Sequence, residues 1–164
     1  MIKILPLEKK DAMQIVEWNR GTSAEFLTQW SGRGYEFPIT ESQIIMRIDQ
    51  EPLSDYKLYK ILLEDSIIGT IELMNIDKDM KKASIGRFLL NPTYVGKGYG
   101  TMALNEFTYM IFKEFKFHKL GLTVFDFNKS AFRCYEKSGF NATDKQTRPN
   151  GWIAIQMEIT NPVI

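Results

Sequence analysis

The sequence predicts an α/β protein of α+β layout, with a single mixed, mostly antiparallel twisted sheet flanked by helices and one parallel pair. Three observations carry this. Between residues 56 and 90, three runs of aliphatic, β-branched and aromatic residues are separated by short polar turns, the pattern of an antiparallel meander. A glycine-rich turn then opens a stretch in which Leu104, Phe107, Ile111 and Phe115 recur every three or four residues, one face of a helix. A further apolar run, residues 120–125, completes strand, helix, strand, a crossover whose two strands run parallel.

In chain order, residues 2–7 read as a short strand with Ile2 and Ile4 on one face. Residues 8–18 read as a helix with Ala12, Ile15 and Val16 as its stripe. From 21 to 38 the pattern breaks: Phe26, Leu27, Trp30, Tyr35 and Phe37 sit among Gly32, Gly34 and Pro38. Such a segment is either a lid over a pocket or an irregular loop that adds to the core. Residues 40–50 return to helical spacing, with Thr40 as N-cap. Glu64-Asp65-Ser66 turns strand 56–63 into strand 67–76, and residues 77–82 lead into strand 83–90. A helix over 99–115 follows. Asn128 is a good N-cap for a helix over 129–138, and Gly139 a good residue just past its end. Strands 140–145 and 152–159 close the chain across Arg148-Pro149-Asn150-Gly151.

With 164 residues, one domain spanning 1–164 is expected. Twenty-one basic against 20 acidic residues leave a net charge of +1, which excludes a general electrostatic case for nucleic acid or an anionic membrane. Cys134 stands alone, so no intrachain disulfide is possible. No secretory leader pattern and no apolar run of bilayer length is present, so a cytoplasmic, soluble protein is expected. One Cys and one His cannot build a structural zinc site, and no metal is expected.

The run Asn91-Pro92-Thr93-Tyr94-Val95-Gly96-Lys97-Gly98-Tyr99-Gly100-Thr101 is the chemical centre of the chain. A strand passing through glycines into a helix start presents free N–H groups and the positive end of the helix dipole to an anion. Lys97 adds a charge, and the Thr101 hydroxyl adds a donor. Glycines also serve plain tight connections, and these residues alone leave both readings open. The run matches neither a Walker loop nor a dinucleotide fingerprint.

Two motifs together extend the reading. Val95-Gly96-Lys97-Gly98-Tyr99-Gly100 resembles the Arg/Gln-x-x-Gly-x-Gly/Ala loop of the GCN5-related N-acetyltransferase (GNAT) superfamily. Asn128, Ala131, Tyr135, Gly139 and Phe140 resemble that family's following Asn-x-x-Ala-x-x-x-Tyr-x-x-x-Gly-Phe helix. The element order matches too, so the resemblance covers nearly the whole chain. Val95 departs from the family, standing where Arg or Gln is usual. Trp30-Ser31-Gly32 and Phe37-Pro38-Ile39-Thr40 resemble the ribosomal-protein-acetylase-like branch.

The resemblance implies an N-acetyltransferase using acetyl-CoA (or another acyl-CoA) as donor and a primary amine as acceptor, by direct attack in a ternary complex. The pyrophosphate would rest on the amides of Val95, Gly96, Lys97, Gly98, Gly100 and Thr101. The pantetheine arm would lie beside Phe88 and Leu90, in a gap that splits the parallel pair around the cofactor. Leu90 N–H would stabilise the developing oxyanion, and Asn128 would touch the pantetheine. Tyr135 would protonate the departing thiolate. A phenol of pKa about 10 and a thiol of about 8.5 make that transfer uphill by roughly 2 kcal/mol in water, a deficit that desolvation of the thiolate offsets.

For the base, Glu72 on a central strand could act through water; its bland reading is a solvated carboxylate on a half-exposed sheet. Glu25 and Asp126 are weaker candidates, His118 reads as structural, and Cys134 reads as a packed residue. Trp30, Tyr35 and Phe37, with the 148–151 turn, are the expected acceptor walls. A protein N-terminal amine, a polyamine, an amino-acid-like metabolite and an aminated antibiotic all remain as acceptors. The family implies a monomer or homodimer. The competing readings are an acyl-CoA sensor without catalysis and a nucleotide-binding protein unrelated to CoA.

Overall fold

Alternation along the strands sorts side chains onto the two faces of one seven-stranded sheet, in the order β1-β2-β3-β4-β5-β7-β6. A computed structural model describes residues 1–162. The strands are β1 (Ile2–Pro6), β2 (Lys57–Leu63), β3 (Ser66–Asp77), β4 (Lys82–Leu90), β5 (Lys119–Phe125), β6 (Asn141–Thr147) and β7 (Ile153–Thr160). Among the described residues only β4 and β5 pair in parallel, and every other neighbouring pair is antiparallel, as the meander and crossover required. The last strand, β7, inserts between β5 and β6, which leaves β6 at the edge. Its Asn-Ala-Thr-Asp-Lys-Gln-Thr sequence suits that place, since all seven residues are exposed.

On β2, Tyr59 and Ile61 pack into one core cluster while Leu58 packs into another. The first cluster is closed by α4 (Tyr99–Phe115) through Ala103, Leu104, Phe107 and Ile111. The second is closed by α1 (Ala12–Asn19), α2 (Ala24–Ser31) and α3 (Glu41–Gln50) through Ile15, Trp18, Leu27 and Ile44. Helix α5 (Lys129–Lys137) lays Ala131, Phe132 and Tyr135 against the first cluster.

Helix α2 corrects the sequence reading, which treats 21–38 as irregular throughout. Ser23 caps it by accepting from Phe26 N–H at 3.1 Å, and Gly32 ends it at φ 64°. The glycines and Pro38 that obscured the pattern lie beyond the helix rather than in it. The Thr40 cap and the Asn128 cap are both formed, through Gln43 N–H and Ala131 N–H.

One irregularity positions the site. On β4, Ala83 and Ile85 belong to the α4 side of the sheet, yet Leu89 belongs to the other. A strict two-residue period would put all three on one face. The register with β3 slips between Thr70 and Glu72, and Arg87 takes a left-handed φ of 45°. This bulge inverts the facing of everything after it. Arg87 is thereby turned toward α2, while Phe88 and Leu90 turn toward the α4 side.

Candidate active site

The parallel pair is short. Lys82, Ala83 and Ser84 pair with Lys119, Leu120 and Gly121, and past them β4 and β5 diverge. Asn91 N–H donates to Ile68 C=O at 2.7 Å, across to β3. Peptide groups alternate along a strand, so the Leu90 N–H one residue earlier faces the opposite edge, into the gap. The gap continues as a cleft of about 550 Å³ bordered by residues of β4, β5, α2, α4, α5 and the glycine turn.

At one end lies the start of α4. Gly96 and Gly98 hold φ of 80° and 84°, and a Cβ at either would meet nothing within 4 Å, so these glycines serve the backbone conformation and an open approach. No side chain caps α4 at Gly98. The first bond back along the turn is Met102 N–H to Gly98 C=O at 3.2 Å, so the amides of Tyr99, Gly100 and Thr101 precede the intrahelical ladder. Five of the expected cradle residues border the cleft: Val95, Gly96, Gly98, Gly100 and Thr101. Two details differ from expectation. Val95 N–H is committed to Pro92 C=O at 3.4 Å, within a 3-10 turn over Pro92–Tyr94. Lys97 is exposed and does not line the cleft, because its side chain leaves the turn on the solvent side.

Helix α5 supplies the far wall. Asn128 accepts from Ala131 N–H at 3.3 Å and from Ser130 Oγ at 3.4 Å, so its Oδ1 is occupied by capping. Tyr135 lines the cleft with its ring tilted against Phe140 at 6.3 Å. Desolvation first, and the neighbouring Cys134 second, raise the Tyr135 pKa above the ordinary phenol value. Cys134 also lines the cleft, and burial raises its thiol pKa against the hydrogen bond it receives from Thr101 Oγ1 at 3.5 Å. A raised thiol pKa opposes the thiolate form that a nucleophile needs.

At the other end, α2 presents Phe26, Gln29 and Trp30 opposite Arg87. Trp30 Nε1 donates to Asn19 Oδ1 at 2.9 Å, which fixes the indole. Arg87 Nε donates to the Ser31 carbonyl at 2.9 Å and Nη2 to the Arg33 carbonyl, so the guanidinium satisfies the C-terminal end of α2. Arg87 also lies over the Tyr35 ring at 4.6 Å, while Arg47 lies over Tyr56 at 3.7 Å. Between the two guanidiniums sits Glu72, 2.7 Å from Arg47 Nη2 and 3.8 Å from Arg87 Nη1. Burial, helped by the Glu72 charge, pushes the Tyr35 hydroxyl up to about 12. Arg87 Nη1 is buried with no hydrogen-bond partner among the described residues, a state that costs about 1–3 kcal/mol.

The model of the acetyltransferase (GNAT) domain family matches residues 2–141. The chain belongs to that family. A prophage-derived N-acetyltransferase of Bacillus subtilis is 28% identical over 93 residues, which are 56% of this chain and 51% of that protein. The chain thus spans about half the length of that relative. A probable N-acetyltransferase of the same organism is 28% identical over 152 residues, 85% of this chain and 80% of the other. Spermidine N-acetyltransferase from Vibrio cholerae, solved with CoA and spermine, superposes with a TM-score of 0.83 over 97% of this chain and 95% of that one, at 19% identity. None of the three is described as a ribosomal-protein acetylase, so the finer branch expectation is not met by these likenesses.

Within this GNAT domain the structure gathers Phe88, Leu90, Thr101, Asn128, Tyr135 and Trp30 around one cleft. It places three acceptor-side candidates elsewhere. Glu72 is neither solvated nor at the cleft; it is 4% exposed and borders a void of about 10 Å³ beside Tyr35, because its β3 face is covered by α3 and Arg47. Tyr35 borders that void too, beneath Arg87. Phe37 is half exposed and lines a separate hollow of about 280 Å³ with Val16 and Arg20. The 148–151 turn is exposed and away from the cleft. Glu25, Asp126 and His118 do not line it either. Phe26 and Gln29 lie within the 21–40 stretch expected to shape the acceptor end, whereas Arg87 was missed. The signal for Arg87 was there, a lone charge within the apolar run Ile85-Gly86-Arg87-Phe88-Leu89.

Proposed function

We propose that this chain, as one domain over residues 1–164, is an acetyl-CoA-dependent N-acetyltransferase that acts on a primary amine by direct attack in a ternary complex. The observation that carries this is the β4–β5 divergence, with Leu90 N–H facing the gap and the uncapped start of α4 at its end. A thioester arm fits the gap as an added strand, and a pyrophosphate fits the amides of Gly96, Lys97, Gly98, Gly100 and Thr101. Asn128, with Oδ1 used in capping, offers its side-chain amide N–H groups to the arm. A monomer or homodimer in the cytoplasm belongs to the same reading.

In the reaction the neutral amine adds to the thioester carbon, and the oxygen takes the electron pair against Leu90 N–H. Collapse breaks the C–S bond, and the thiolate takes a proton from Tyr135; the nitrogen sheds its extra proton to solvent as the amide forms, and solvent returns a proton to Tyr135. The raised Tyr135 pKa weakens the acid, but the same apolar surroundings make the thiolate more basic, so the two shifts offset each other. Among the described residues, neither carboxylate nor imidazole lines the cleft. The amine therefore enters already neutral, its proton lost to solvent, and no side chain is assigned as general base. Glu72, held by Arg47, keeps the acceptor end in shape instead.

The test is thiol release from acetyl-CoA against a panel of primary amines, with CoA binding followed by calorimetry. Turnover with at least one amine supports transfer. Tight CoA binding with no thiol released by any amine would point to a sensor.

A further inference from the structure

The cleft separates its charges by end. Among the described residues, the charged side chains lining it are Arg87, Arg133 and Lys137, all cations. Arg133 and Lys137 stand one turn apart on α5, and Cys134 between them meets the start of α4 through Thr101 Oγ1 at 3.5 Å. Positive charge therefore lies with the glycine turn, where an anion is expected. Arg87 offers none to the opposite end. Its Nε and Nη2 are spent on the Ser31 and Arg33 carbonyls, and Nη1 is buried beside Glu72. What α2 presents there is uncharged: the rings of Phe26 and Trp30 and the amide of Gln29. On β5, Leu122 and Val124 belong to the α4 side, so Thr123 faces the α2 side, with its hydroxyl donated to Gln156 at 2.8 Å. The Trp30 indole is held by its bond to Asn19 at 2.9 Å and its ring contact with Tyr35 at 6.2 Å. The aromatic wall is thus set before a ligand arrives.

We propose that the acceptor is an arylamine, a flat apolar molecule whose nitrogen is neutral at pH 7, and that Phe26, Gln29 and Trp30 select for it. This rests on the acetyltransferase reading and deepens it by naming the substrate class. An alkylamine of pKa about 10.4 is neutral in roughly one molecule in 2,500 at pH 7. Among the described residues no carboxylate or imidazole lines the cleft to raise that fraction. An ammonium would also lose water beside Phe26 and Trp30 without a counter-ion. Ring faces attract cations, but burying the charge unpaired opposes them. In an arylamine the lone pair is delocalised into the ring, so nearly every molecule arrives neutral. The weaker base is a poorer nucleophile, yet less than in proportion to its basicity, so the gain in neutral fraction wins. Its nitrogen adds to the thioester carbon, and the carbonyl electron pair moves to oxygen against Leu90 N–H. The adduct's N–H, made acidic by the ring, gives its proton to water. Collapse expels the thiolate, Tyr135 protonates it, and solvent returns a proton to Tyr135. The products are an N-aryl acetamide and CoA.

The test compares isomers that differ only in where the nitrogen sits: 4-methylaniline against benzylamine, and 5-aminoindane against 2-aminoindane, with spermidine and kanamycin alongside. Thiol release from acetyl-CoA is followed from about pH 6 to about pH 10, and binding to the CoA-loaded protein by ligand-observed NMR. At least one arylamine should show a kcat/KM about tenfold or more above that of its isomer at pH 7. Its profile should stay flat while the isomer's follows the rise expected of an alkylamine. Gln29→Glu, at a half-buried position on α2, should cut the arylamine preference about tenfold by giving an ammonium its counter-ion, with CoA affinity unchanged. Faster turnover of benzylamine, 2-aminoindane, spermidine or kanamycin at pH 7 overturns the proposal, as does a preference that Gln29→Glu leaves unaltered. Turnover confined to alkylamines sinks the arylamine class and leaves the acetyltransferase reading standing. CoA binding with no thiol released from any amine sinks that reading instead. The NMR comparison then still decides whether this end of the cleft prefers the neutral isomer.

Discussion

Arg47 and Glu72, 25 residues apart in sequence, close a two-point ion pair at 2.7 and 3.1 Å on the face of the sheet covered by α3. Glu72 is 5% exposed at its side chain, and Arg47 is 19% exposed. Removing the carboxylate leaves two guanidiniums close together in a poorly solvated place. Glu72→Ala should therefore cost about 3–5 kcal/mol in urea unfolding, well above a surface ion pair. A loss under 1 kcal/mol would mean the pair is solvated in solution.

Gly69 touches the strand that carries Leu90, the proposed oxyanion donor. A Cβ there would sit 2.5 Å from the Leu89 carbonyl oxygen and 2.9 Å from Leu90 Cδ2. The first of these is backbone and cannot swing aside. Gly69→Ala should destabilise by about 1–3 kcal/mol and lower kcat more than it raises the KM for acetyl-CoA, by shifting Leu90 N–H. Steady-state kinetics on the folded fraction separate the two effects.

At the glycine turn the expectation reverses. A side chain at Gly98 meets no atom within 4 Å, so Gly98→Ala costs only its φ of 84°, about 1–2 kcal/mol. Its larger effect should fall on CoA affinity, weakened about tenfold or more in calorimetry as the amides reorient. Unchanged CoA affinity would remove the pyrophosphate from this turn.

Burial raises the Tyr135 pKa, so the phenol stays in its proton-donating form throughout the working range. With no side-chain base in the cleft, kcat/KM should climb with pH as the amine loses its proton, with no falling limb up to pH about 10. Tyr135→Phe should lower kcat about 10- to 100-fold and leave CoA binding unchanged. A falling limb near pH 8 that disappears in Tyr135→Phe would contradict the raised phenol.

Lys60 ties β2 to the chain just before α1, through Glu8 at 2.7 Å and Asp11 at 2.9 Å. Burial opposes its charge, but the two hydrogen bonds outweigh burial and hold its pKa above 10.5. That contribution is present below 10.5 and is lost as pH rises through the higher folded value. The Lys60 hydrogen bond also lowers the pKa of Glu8 from 4.5, a contribution lost as pH falls through the lower folded value. Lys60→Gln should flatten the stability curve below pH 4.5 and above pH 10.5, measured as urea midpoints at low and high salt.

The sequence by itself determined the order of the strands and of every α-helix but α2, the parallel pair and the two helix caps at Thr40 and Asn128. Those features follow from local spacing: apolar periods of two and of 3.6, turn residues, and side chains that bond amides three residues on. The glycine turn and Tyr135 were legible for the same reason, because a motif within one strand-to-helix passage carries its own geometry. The acceptor end was decided only in three dimensions. Whether Glu72 was solvated or buried depended on α3 delivering Arg47 across 25 residues. Which way Arg87 pointed depended on a one-residue bulge on β4, which sequence alternation alone cannot place. Phe37 and Trp30, seven residues apart, reached different hollows because α2 ended between them at Gly32. Charge pairing and facing are long-range properties, and this end of the cleft is built almost entirely from them.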